Sequence, residues 1–423
     1  MPRIATTNAN FERAPLARPF GFKGGYVSEL WQSVVRLTDD DGRSGVGLGT
    51  QSVLWSDARV FAAHSEAGGN ALMFALTERA LALARGEAFT DPLALQDALF
   101  EPVLDYARLL TGRADLRATF ALNALVAVDF AAWALYARQH GIRRFDGLVP
   151  AFARPALAAH HPRVAVVPIV TYTTTDAEIE SMLDAGYFIF KVKLGAPGTQ
   201  REMLASDRER MTQLHRLLAH RETPHTPTGR IPYYLDANAR YEDKATMHAL
   251  LDHIDGLGAL DRVILLEEPF PEDNESDVSD LGVCVAADES AHTDADARRR
   301  MDLGYGAIAL KPIAKTLSMT LRIARSAHER GIPCFCADLT VNPSLLEWNK
   351  AVAARLAPFP GLGLPLIETN GHQNYRDWPA MQARVPHAGA PWTRIDRGLF
   401  TLDAAYYETD DLLDAGPAWE QLV

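Results

Sequence analysis

The amino-acid sequence predicts an α/β protein: a (β/α)8 TIM-like barrel that follows an N-terminal α+β capping domain. Three observations predict this fold. Eight short β-rich runs follow one another between residues 165 and 370, with starts 20 to 45 residues apart, and a βα unit of a barrel takes roughly 30 residues. These runs are continuously apolar, which is typical of parallel strands covered on both faces. The roughly 150 residues before them combine a hairpin pattern with helical periodicity.

The first recognisable element is a β-hairpin over residues 29–51. Apolar and polar side chains alternate on its first strand, and Asp39-Asp40-Asp41-Gly42 provides the turn. The following Gly45-Val46-Gly47-Leu48-Gly49 is not expected to be a dinucleotide-binding loop, because it lacks a third glycine at the required spacing and no βαβ unit surrounds it.

Helical spacing follows over residues 56–141, and we place the capping domain at residues 1–160. The stretch Ala118–Ala137 is as long and apolar as a membrane span. It carries Asp129 near its centre, and a central Asp costs about 2.5–3.5 kcal/mol on insertion scales. We therefore expect a helix buried inside a soluble protein.

The barrel is placed at residues 161–390, and a C-terminal segment, residues 391–423, is expected to return to the cap. Residues 199–218 are predicted to be a helix and residues 220–230 a solvated loop. The eight predicted strands are Ala165–Tyr172, Phe188–Gly195, Tyr233–Ala239, Val263–Phe270, Val283–Ser290, Ala307–Ile313, Pro333–Thr340 and Gly363–Asn370.

Composition limits the possible partners. The 423 residues include 42 Lys and Arg against 54 Asp and Glu, a net charge of −12, which disfavours nucleic acid and anionic membranes as partners. Three cysteines, Cys284, Cys334 and Cys336, cannot form a disulfide framework and lie in apolar runs. With no apolar signal segment in residues 1–20, we expect a cytoplasmic protein.

Charged residues stand at the ends of five successive predicted strands. Active sites of barrel enzymes lie at the C-terminal ends of the strands, so charge concentrated there indicates chemistry. Three carboxylates on adjacent strands can converge on one hard cation, Mg²⁺ or Mn²⁺, flanked by lysines. In chain order these residues are Lys191 and Lys193, Asp236, Glu267, Asp288 and Lys311.

This order suits removal of a proton α to a carboxylate. A divalent ion bound to the substrate carboxylate stabilises the charge that develops when the proton leaves. A lysine must be neutral to act as the base, and we expect the neighbouring Lys191 and the metal to lower the pKa of Lys193. Lys193 and Lys311 would face each other across the α carbon.

These motifs resemble the enolase superfamily, specifically its muconate lactonizing enzyme-like subgroup. The matching residues are Lys191-Val-Lys193, Asp236-Ala-Asn238, Glu267-Glu-Pro269, Asp288-Glu-Ser290, Lys311 and the helix sequence from Asn123 to Trp133. The resemblance implies a capping domain that closes over the barrel mouth and selects the substrate. It also implies a homo-oligomer.

The resemblance further assigns the site residues. It implies Asp236, Glu267 and Asp288 as Mg²⁺ ligands, with Glu268 on the other side of its strand. It implies Lys193 and Lys311 as the acid/base pair, with Lys191 assisting. Asn238 and Glu289 would support the ligands, and Lys315 is interpreted as structural.

Substrate contacts are expected where the sequence departs from the family. Dipeptide epimerases of this subgroup carry Asp-x-Asp on strand eight, whereas this chain has Glu368-Thr369-Asn370. Residues 20–26 and 47–55 are expected to be lid loops. The candidates for substrate contact are Glu368, Asn370, Asp338 and Asn342 at the barrel mouth, and Phe22, Tyr26 and Trp55 in the cap.

The predicted function is that of a Mg²⁺-dependent isomerase or lyase acting on a small carboxylate. Racemisation or epimerisation, cycloisomerisation, and dehydration of the o-succinylbenzoate synthase type share the first proton removal, and the sequence does not choose among them. A Schiff-base aldolase is disfavoured, since an imine mechanism needs no metal ligands. A metal-binding barrel without catalytic activity is the remaining alternative.

Overall fold

The structure is a computed structural model that describes residues 2–410 and 412–423. It contains a three-stranded antiparallel sheet and an eleven-stranded, mostly parallel sheet that curls. The strands are β1 (Ile4–Phe22), β2 (Gly25–Asp39), β3 (Ser44–Gln51), β4 (Arg163–Val167), β5 (Ile169–Val170), β6 (Phe190–Lys193), β7 (Tyr233–Asp236), β8 (Val263–Glu267), β9 (Val285–Ala287), β10 (Ala307–Leu310), β11 (Cys334–Cys336), β12 (Leu366–Glu368), β13 (Ile395–Asp396) and β14 (Leu399–Thr401).

Helices cover the sheets and connect the parallel strands. They are α1 (Val53–Ser56), α2 (Ala58–Ala63), α3 (Glu66–Ala84), α4 (Pro92–Thr111), α5 (Ala118–His140), α6 (Phe145–Leu148), α7 (Asp176–Asp184), α8 (Gln200–Leu218), α9 (Lys244–Gly256), α10 (Asp294–Asp302), α11 (Pro312–Lys315), α12 (Leu317–Glu329), α13 (Pro343–Ala353), α14 (Gly371–Asn374), α15 (Trp378–Gln382), α16 (Ala404–Glu408) and α17 (Pro417–Glu420).

The predicted N-terminal hairpin is present as β2 and β3. Their register places Thr38 opposite Ser44, so the turn falls where the Asp-Asp-Asp-Gly sequence predicts it. The sequence analysis did not predict β1, which pairs with β2 over most of its length. Many of its side chains are exposed, so β1 depends on backbone pairing rather than on an apolar face that a sequence pattern would reveal.

The glycines of β3 form a contact surface for α5. A Cβ atom on Gly47 would lie 2.1 Å from the carbonyl oxygen of Ala127 and 2.2 Å from the backbone nitrogen of Ala131. Gly45 meets the same helix one turn further on. The alternating glycines therefore bring the helix backbone against the strand. As predicted, α5 is a core helix: 89% of its most apolar 18-residue window is buried.

The first predicted strand of the parallel sheet is divided in two. β4 pairs with β12, while β5 pairs with β6, and only Pro168 separates β4 from β5. Pro168 has no N–H to donate, but its carbonyl oxygen accepts from Lys191 N at 3.0 Å. The two ends of the parallel array are thus adjacent in the chain. Strands β6 to β12 lie within the other seven predicted runs.

The C-terminal residues contact both parts of the protein. β13 and β14 form a hairpin, and β14 pairs antiparallel with β4, a pairing that the sequence analysis did not predict. The last residues touch the cap, since Arg36 donates to the carbonyl of Glu420 at 2.7 Å and Asn10 to that of Leu422 at 3.0 Å.

The connection after β6 agrees with the sequence analysis. Helix α8 begins at the capping box of Thr199 and Glu202. In the described chain, residues 220–230 contain no helix and only the isolated bridge between Glu222 and Arg230.

The contact between β3 and α5 is directly testable. We expect Gly47→Ala to destabilise the protein by about 3 kcal/mol, because a methyl group would collide with helix backbone that cannot turn aside. Gly256→Ala is the control: no atom lies within 4 Å of its Cβ position, and we expect a change within about 0.5 kcal/mol. Urea unfolding would measure both, and equal midpoints for the two variants would contradict the packing argument.

Candidate active site

A cavity lies where the carboxyl ends of the parallel strands meet the cap. Its walls combine strand ends with the tip of the β1–β2 hairpin and the start of α1. Many of the predicted site residues line it: Phe22, Trp55, Lys191, Lys193, Asn238, Asp288, Glu289, Lys311, Asp338, Glu368 and Asn370.

The other predicted residues lie around this cavity. Asp236 and Glu267 are completely buried. Both contact Lys191, which lines the cavity. Tyr26 is 62% exposed and lines a neighbouring cleft. Asn342 is buried as the N-cap of α13, where its side chain accepts from Leu345 N.

Strand register brings the first charged residues together. Lys193 on β6 pairs with Asp236 on β7, which pairs with Glu267 on β8. Adjacent strands lie about 4.8 Å apart, so these three side chains leave the sheet at one level. The register therefore places a lysine and two carboxylates side by side.

Lys191 is the centre of the charge network. Its Nζ lies 3.0 Å from Asp236 Oδ2, 2.9 Å from Glu267 Oε1 and 3.0 Å from Glu368 Oε2. Burial opposes the charged form of Lys191, but attraction to Asp236, Glu267 and Glu368 prevails and raises its pKa well above the usual value. Lys191 is therefore a fixed cation that joins strands β7, β8 and β12.

The pKa values of the two carboxylates beside Lys191 are shifted in opposite directions. Burial would raise the pKa of Asp236, but Lys191 and Lys193 together lower it to about 2. The pKa of Glu267 is raised well above its usual value by burial and by the charge of Asp236. Tyr234 donates a hydrogen bond to Glu267 from below. The positive charge of Lys191 is therefore shared between two carboxylates that differ in their tendency to ionise.

On the far side of the network, Asp288 contacts Lys311 and lies 3.4 Å from Lys315 Nζ. Burial would raise the pKa of Asp288, but these lysines lower it well below the usual range. Burial would lower the pKa of Lys311, but Asp288 raises it. Lys315 also donates to the backbone carbonyl of Asp288 at 2.6 Å and so holds this residue in place.

Glu268 also supports Asp288. Its Oε2 accepts from Asp288 N at 2.6 Å and from Ser290 N at 3.3 Å. Burial and the charge of Glu289 raise the pKa of Glu268 to about 7. Glu268 is not among the residues that line the cavity.

The donor set fits a hard divalent cation. Carboxylate oxygens of Glu267, Asp288 and Glu289 lie within 4.8 Å of one another. Asp288 Oδ1 and Glu289 Oε2 are buried and accept no hydrogen bond from the described residues. Oxygen ligands of this kind suit Mg²⁺ or Mn²⁺. Asp236 lies outside this trio, and its place among the ligands stays a prediction.

The overall charge agrees with that fit. Seven buried carboxylates and five largely buried lysines lie in and around the cavity, and two negative charges are left when all of them are ionised. The carboxylates are Asp236, Glu267, Glu268, Asp288, Glu289, Asp338 and Glu368, and the lysines are Lys23, Lys191, Lys193, Lys311 and Lys315.

Lys23, at the tip of the β1–β2 hairpin, was not predicted as a site residue from the sequence. Its Nζ lies 2.8 Å from Glu289 Oε1 and donates to the carbonyl of Trp55 at 3.1 Å. Lys23 has a φ of 48° and is followed by Gly24 at 75°, so the chain turns sharply and directs this lysine inward. The Lys-Gly-Gly sequence within the predicted lid was the available signal.

Above the charged floor, the cavity wall is apolar. It includes the predicted Phe22 and Trp55, and Nζ of Lys311 lies 4.5 Å from the centre of the Trp55 ring. Five further apolar residues of the wall were not predicted as site residues: Phe20, Val27 and Leu30 of the β1–β2 hairpin, and Ile169 and Leu339 at the ends of parallel strands.

Sequence comparison agrees with this geometry. Residues 174–362 match the family described as enolase C-terminal domain-like. This part of the chain is therefore similar to proteins of the enolase superfamily. A curated relative, the hydrophobic dipeptide epimerase of Citrifermentans bemidjiense, is 28% identical over 370 residues, which are 86% of this chain and 88% of the relative.

Solved structures of a dipeptide epimerase and of an amino-acid-derivative racemase share the fold. The dipeptide epimerase of Cytophaga hutchinsonii, solved with Mg and D-Ala-L-Val, has a TM-score of 0.66 at 15% identity and covers 88% of each chain. The N-succinyl Arg/Lys racemase of Bacillus cereus has a TM-score of 0.68 at 16% identity, covering 100% of this chain and 98% of the other.

The contact of Lys23 makes the hairpin tip testable. We expect Lys23→Met to raise amide hydrogen exchange in residues 20–26 by at least about tenfold, because it removes a buried ion pair and leaves Glu289 without its partner. Lys244→Met, which breaks a more exposed pair with Asp280, should leave exchange there unchanged. Identical exchange in the wild type and Lys23→Met would show that this ion pair does not hold the tip.

Proposed function

We propose that this protein is a divalent-metal-dependent racemase or epimerase that removes and returns the proton α to a substrate carboxylate. The observation that carries the proposal is that Lys193 and Lys311 both line one cavity, above a floor of buried carboxylates. The epimerase activity named for the curated relative supports this reaction over cycloisomerisation and dehydration, which begin with the same proton removal.

The proposal includes a closed barrel. If β4 and β5 form one strand interrupted at Pro168, eight strands close on themselves, from this first strand through β6 to β12. In such a barrel β6 and β10 lie opposite each other. Lys193 ends β6 and Lys311 directly follows β10, so their amines would approach a bound carbon from two faces. The domain limits proposed above, 1–160, 161–390 and 391–423, fit this arrangement.

In the proposed reaction, each of the two lysines carries out one of the two proton transfers. One, as the neutral amine, takes the α proton from its face of the carbon, and the other, as the ammonium ion, gives a proton to the opposite face. The reverse assignment serves the other enantiomer. Lys191 stays charged and holds Asp236 and Glu267 in position.

The carboxylates would hold the cation. Asp236, Glu267 and Asp288 are the proposed ligands, with Asn238 and Glu289 in support. A bound Mg²⁺ or Mn²⁺ ion would supply positive charge to the substrate carboxylate as the proton leaves.

The proposed substrate is a small amino-acid derivative, such as a dipeptide, that carries an apolar group. The apolar wall around Phe20, Phe22 and Trp55 would contact that group. Asp338 and Glu368, which line the same cavity with Asn370, would face a substrate amine or amide. The name of the curated relative, a hydrophobic dipeptide epimerase, supports this class.

Deuterium incorporation tests the two-lysine reaction. In D₂O with Mg²⁺, the wild type should exchange the α hydrogen of both enantiomers of a dipeptide's reacting residue. We expect Lys193→Ala and Lys311→Ala each to interconvert the two enantiomers at least about 10³-fold more slowly than the wild type. Each variant should still exchange one enantiomer, and not the same one, because one base remains on one face.

The surface variant Lys244→Ala is the control and should behave as the wild type. Loss of exchange with both enantiomers in one lysine variant, with full exchange in the other, would contradict the two-base reaction. Trapping of a covalent adduct by borohydride would indicate a Schiff-base enzyme instead.

Thermal unfolding tests the cation site and its ligands. Mg²⁺ at about a hundredfold excess over its Kd should raise the wild-type Tm by about 3 °C. The shift should disappear in Asp236→Asn, Glu267→Gln and Asp288→Asn, and persist in Glu289→Gln and in the exposed control Glu101→Gln. Loss of the shift in Glu289→Gln but not in Asp236→Asn would replace Asp236 by Glu289 in the ligand set.

A further inference from the structure

A second cleft opens beside the reaction cavity. Three residues, Phe22, Lys193 and Asn238, line both spaces, so the cleft adjoins the cavity at the proposed base Lys193. We call it the tyrosine cleft. Its other lining residues come from the hairpin tip and from loops that follow the first three parallel strands, and they include Gly24, Tyr26, Tyr172, Gly195 and Arg240.

A buried carboxylate fixes the walls of the tyrosine cleft. Asp207, on α8, is completely buried and accepts from the hydroxyl groups of Tyr172 and Tyr241. It also accepts from Gly195 N at 2.9 Å and from Ala196 N at 3.4 Å. One side chain thus holds loops from three strands, and the cleft is preformed.

Exposed aromatic surface is concentrated in this cleft. In the described chain, three large hydrophobic side chains are exposed, and two of them, Tyr26 at 62% and Tyr172 at 38%, line it. A tyrosine offers an apolar ring and a polar end at little cost in conformational entropy, which suits contact with a ligand.

Arg240 supplies a positive charge without a partner. Its stem lies against Gly195, where a Cβ atom would be 2.5 Å from Arg240 Cγ, and its Nη1 would be 3.7 Å from a Cβ on Gly24. Within the described residues its guanidinium group donates no hydrogen bond and forms no ion pair, and its buried Nε is unpaired. The nearby Asp207 carboxylate already accepts from four donors.

Other arginines around the hairpin tip differ in this respect. Arg59, Arg108 and Arg117 line the cleft on the other side of Arg240, and each forms an ion pair with a carboxylate. A positioned guanidinium group favours a carboxylate, which it binds with two parallel hydrogen bonds. Arg240 therefore has the chemistry and the place to receive an anionic group.

We propose that the tyrosine cleft binds the part of the substrate farthest from the reacting carbon, and that Arg240 pairs with a second carboxylate there. The inference rests on the proposed function, since it extends the same substrate from Lys193 past Phe22. The preferred substrates are thus amino-acid derivatives with two carboxylates, one at the reacting carbon and one at the end of an apolar arm. That arm is either the side chain or an N-acyl group.

Two matched substrate pairs test the inference and separate the two arms. L-Ala-L-Glu against L-Ala-L-Gln changes the charge of the side chain, and N-succinyl-L-leucine against N-succinamyl-L-leucine changes the charge of the acyl group. In at least one pair, kcat/KM for α-hydrogen exchange should be about tenfold higher for the member with the second carboxylate. The difference should come from a lower KM, with kcat unchanged.

Arg240→Gln should remove this preference, while Arg240→Lys should retain part of it. Arg201→Gln removes an exposed charge outside the cleft and should leave the preference intact. A preference that persists in Arg240→Gln, or equal constants within both pairs, would overturn the inference.

Calorimetric binding of the same pairs with Mg²⁺ separates this inference from the proposed function. Charge preference in binding that depends on Arg240, without any exchange, would support the tyrosine cleft and contradict the epimerase reaction. Exchange with no charge preference in binding would support the reaction and contradict the role of Arg240.

Discussion

The arrangement of the site depends on how one ammonium group, that of Lys191, is shared among Asp236, Glu267 and Glu368. Burying an unpaired carboxylate costs several kcal/mol, so carboxylates from β7, β8 and β12 are stable here only with a cation between them. Lys191 cannot neutralise all three, and burial together with the charge of Asp236 raises the pKa of Glu267 well above its usual value. The fold thus builds a floor that is rigid and short of positive charge, which is the condition for binding a cation.

Polar contacts join the cap to the parallel sheet and fix its position over this floor. Asp129 of α5 accepts from Leu317 N at 2.8 Å, from Ser318 N at 3.1 Å and from the Ser318 hydroxyl. The aspartate that argued against a membrane span therefore receives the free N–H groups at the start of α12. On the other side, Gln32 of β2 bonds to Tyr375 at 2.8 Å.

The sequence could predict the floor because strand geometry converts position into proximity. A charged residue at the C-terminal end of a buried parallel strand lies at the mouth of the sheet. Sequence pattern and family resemblance together could therefore predict four site residues: Lys191, Lys193, Asp288 and Lys311. Lys23 and Arg240 were not predictable in this way. Each lies on a turn with positive φ nearby, at Lys23 itself and at Ala239, and such turns carry no periodicity to read.

The same limit applies to the fold. β1 was missed because its pairing with β2 is a backbone property, and the division of the first parallel strand depends on the single residue Pro168. The pairing of β14 with β4 joins residues more than 200 positions apart, which a local pattern cannot specify.

The hairpin tip contributes to both the reaction cavity and the tyrosine cleft. Lys23 is tied to Glu289 on the floor, and its neighbour Phe22 stands between the reaction cavity and the tyrosine cleft. Adjacent residues on a sharp turn cannot move independently, so the ion pair that fixes Lys23 also fixes the position of Phe22. The position of the wall that the two spaces share therefore depends on the ion pair between Lys23 and Glu289. In the proposed reaction, the cap residues that would select the substrate and the lysines at the strand ends are thus held in one connected structure while the Lys23–Glu289 pair is intact.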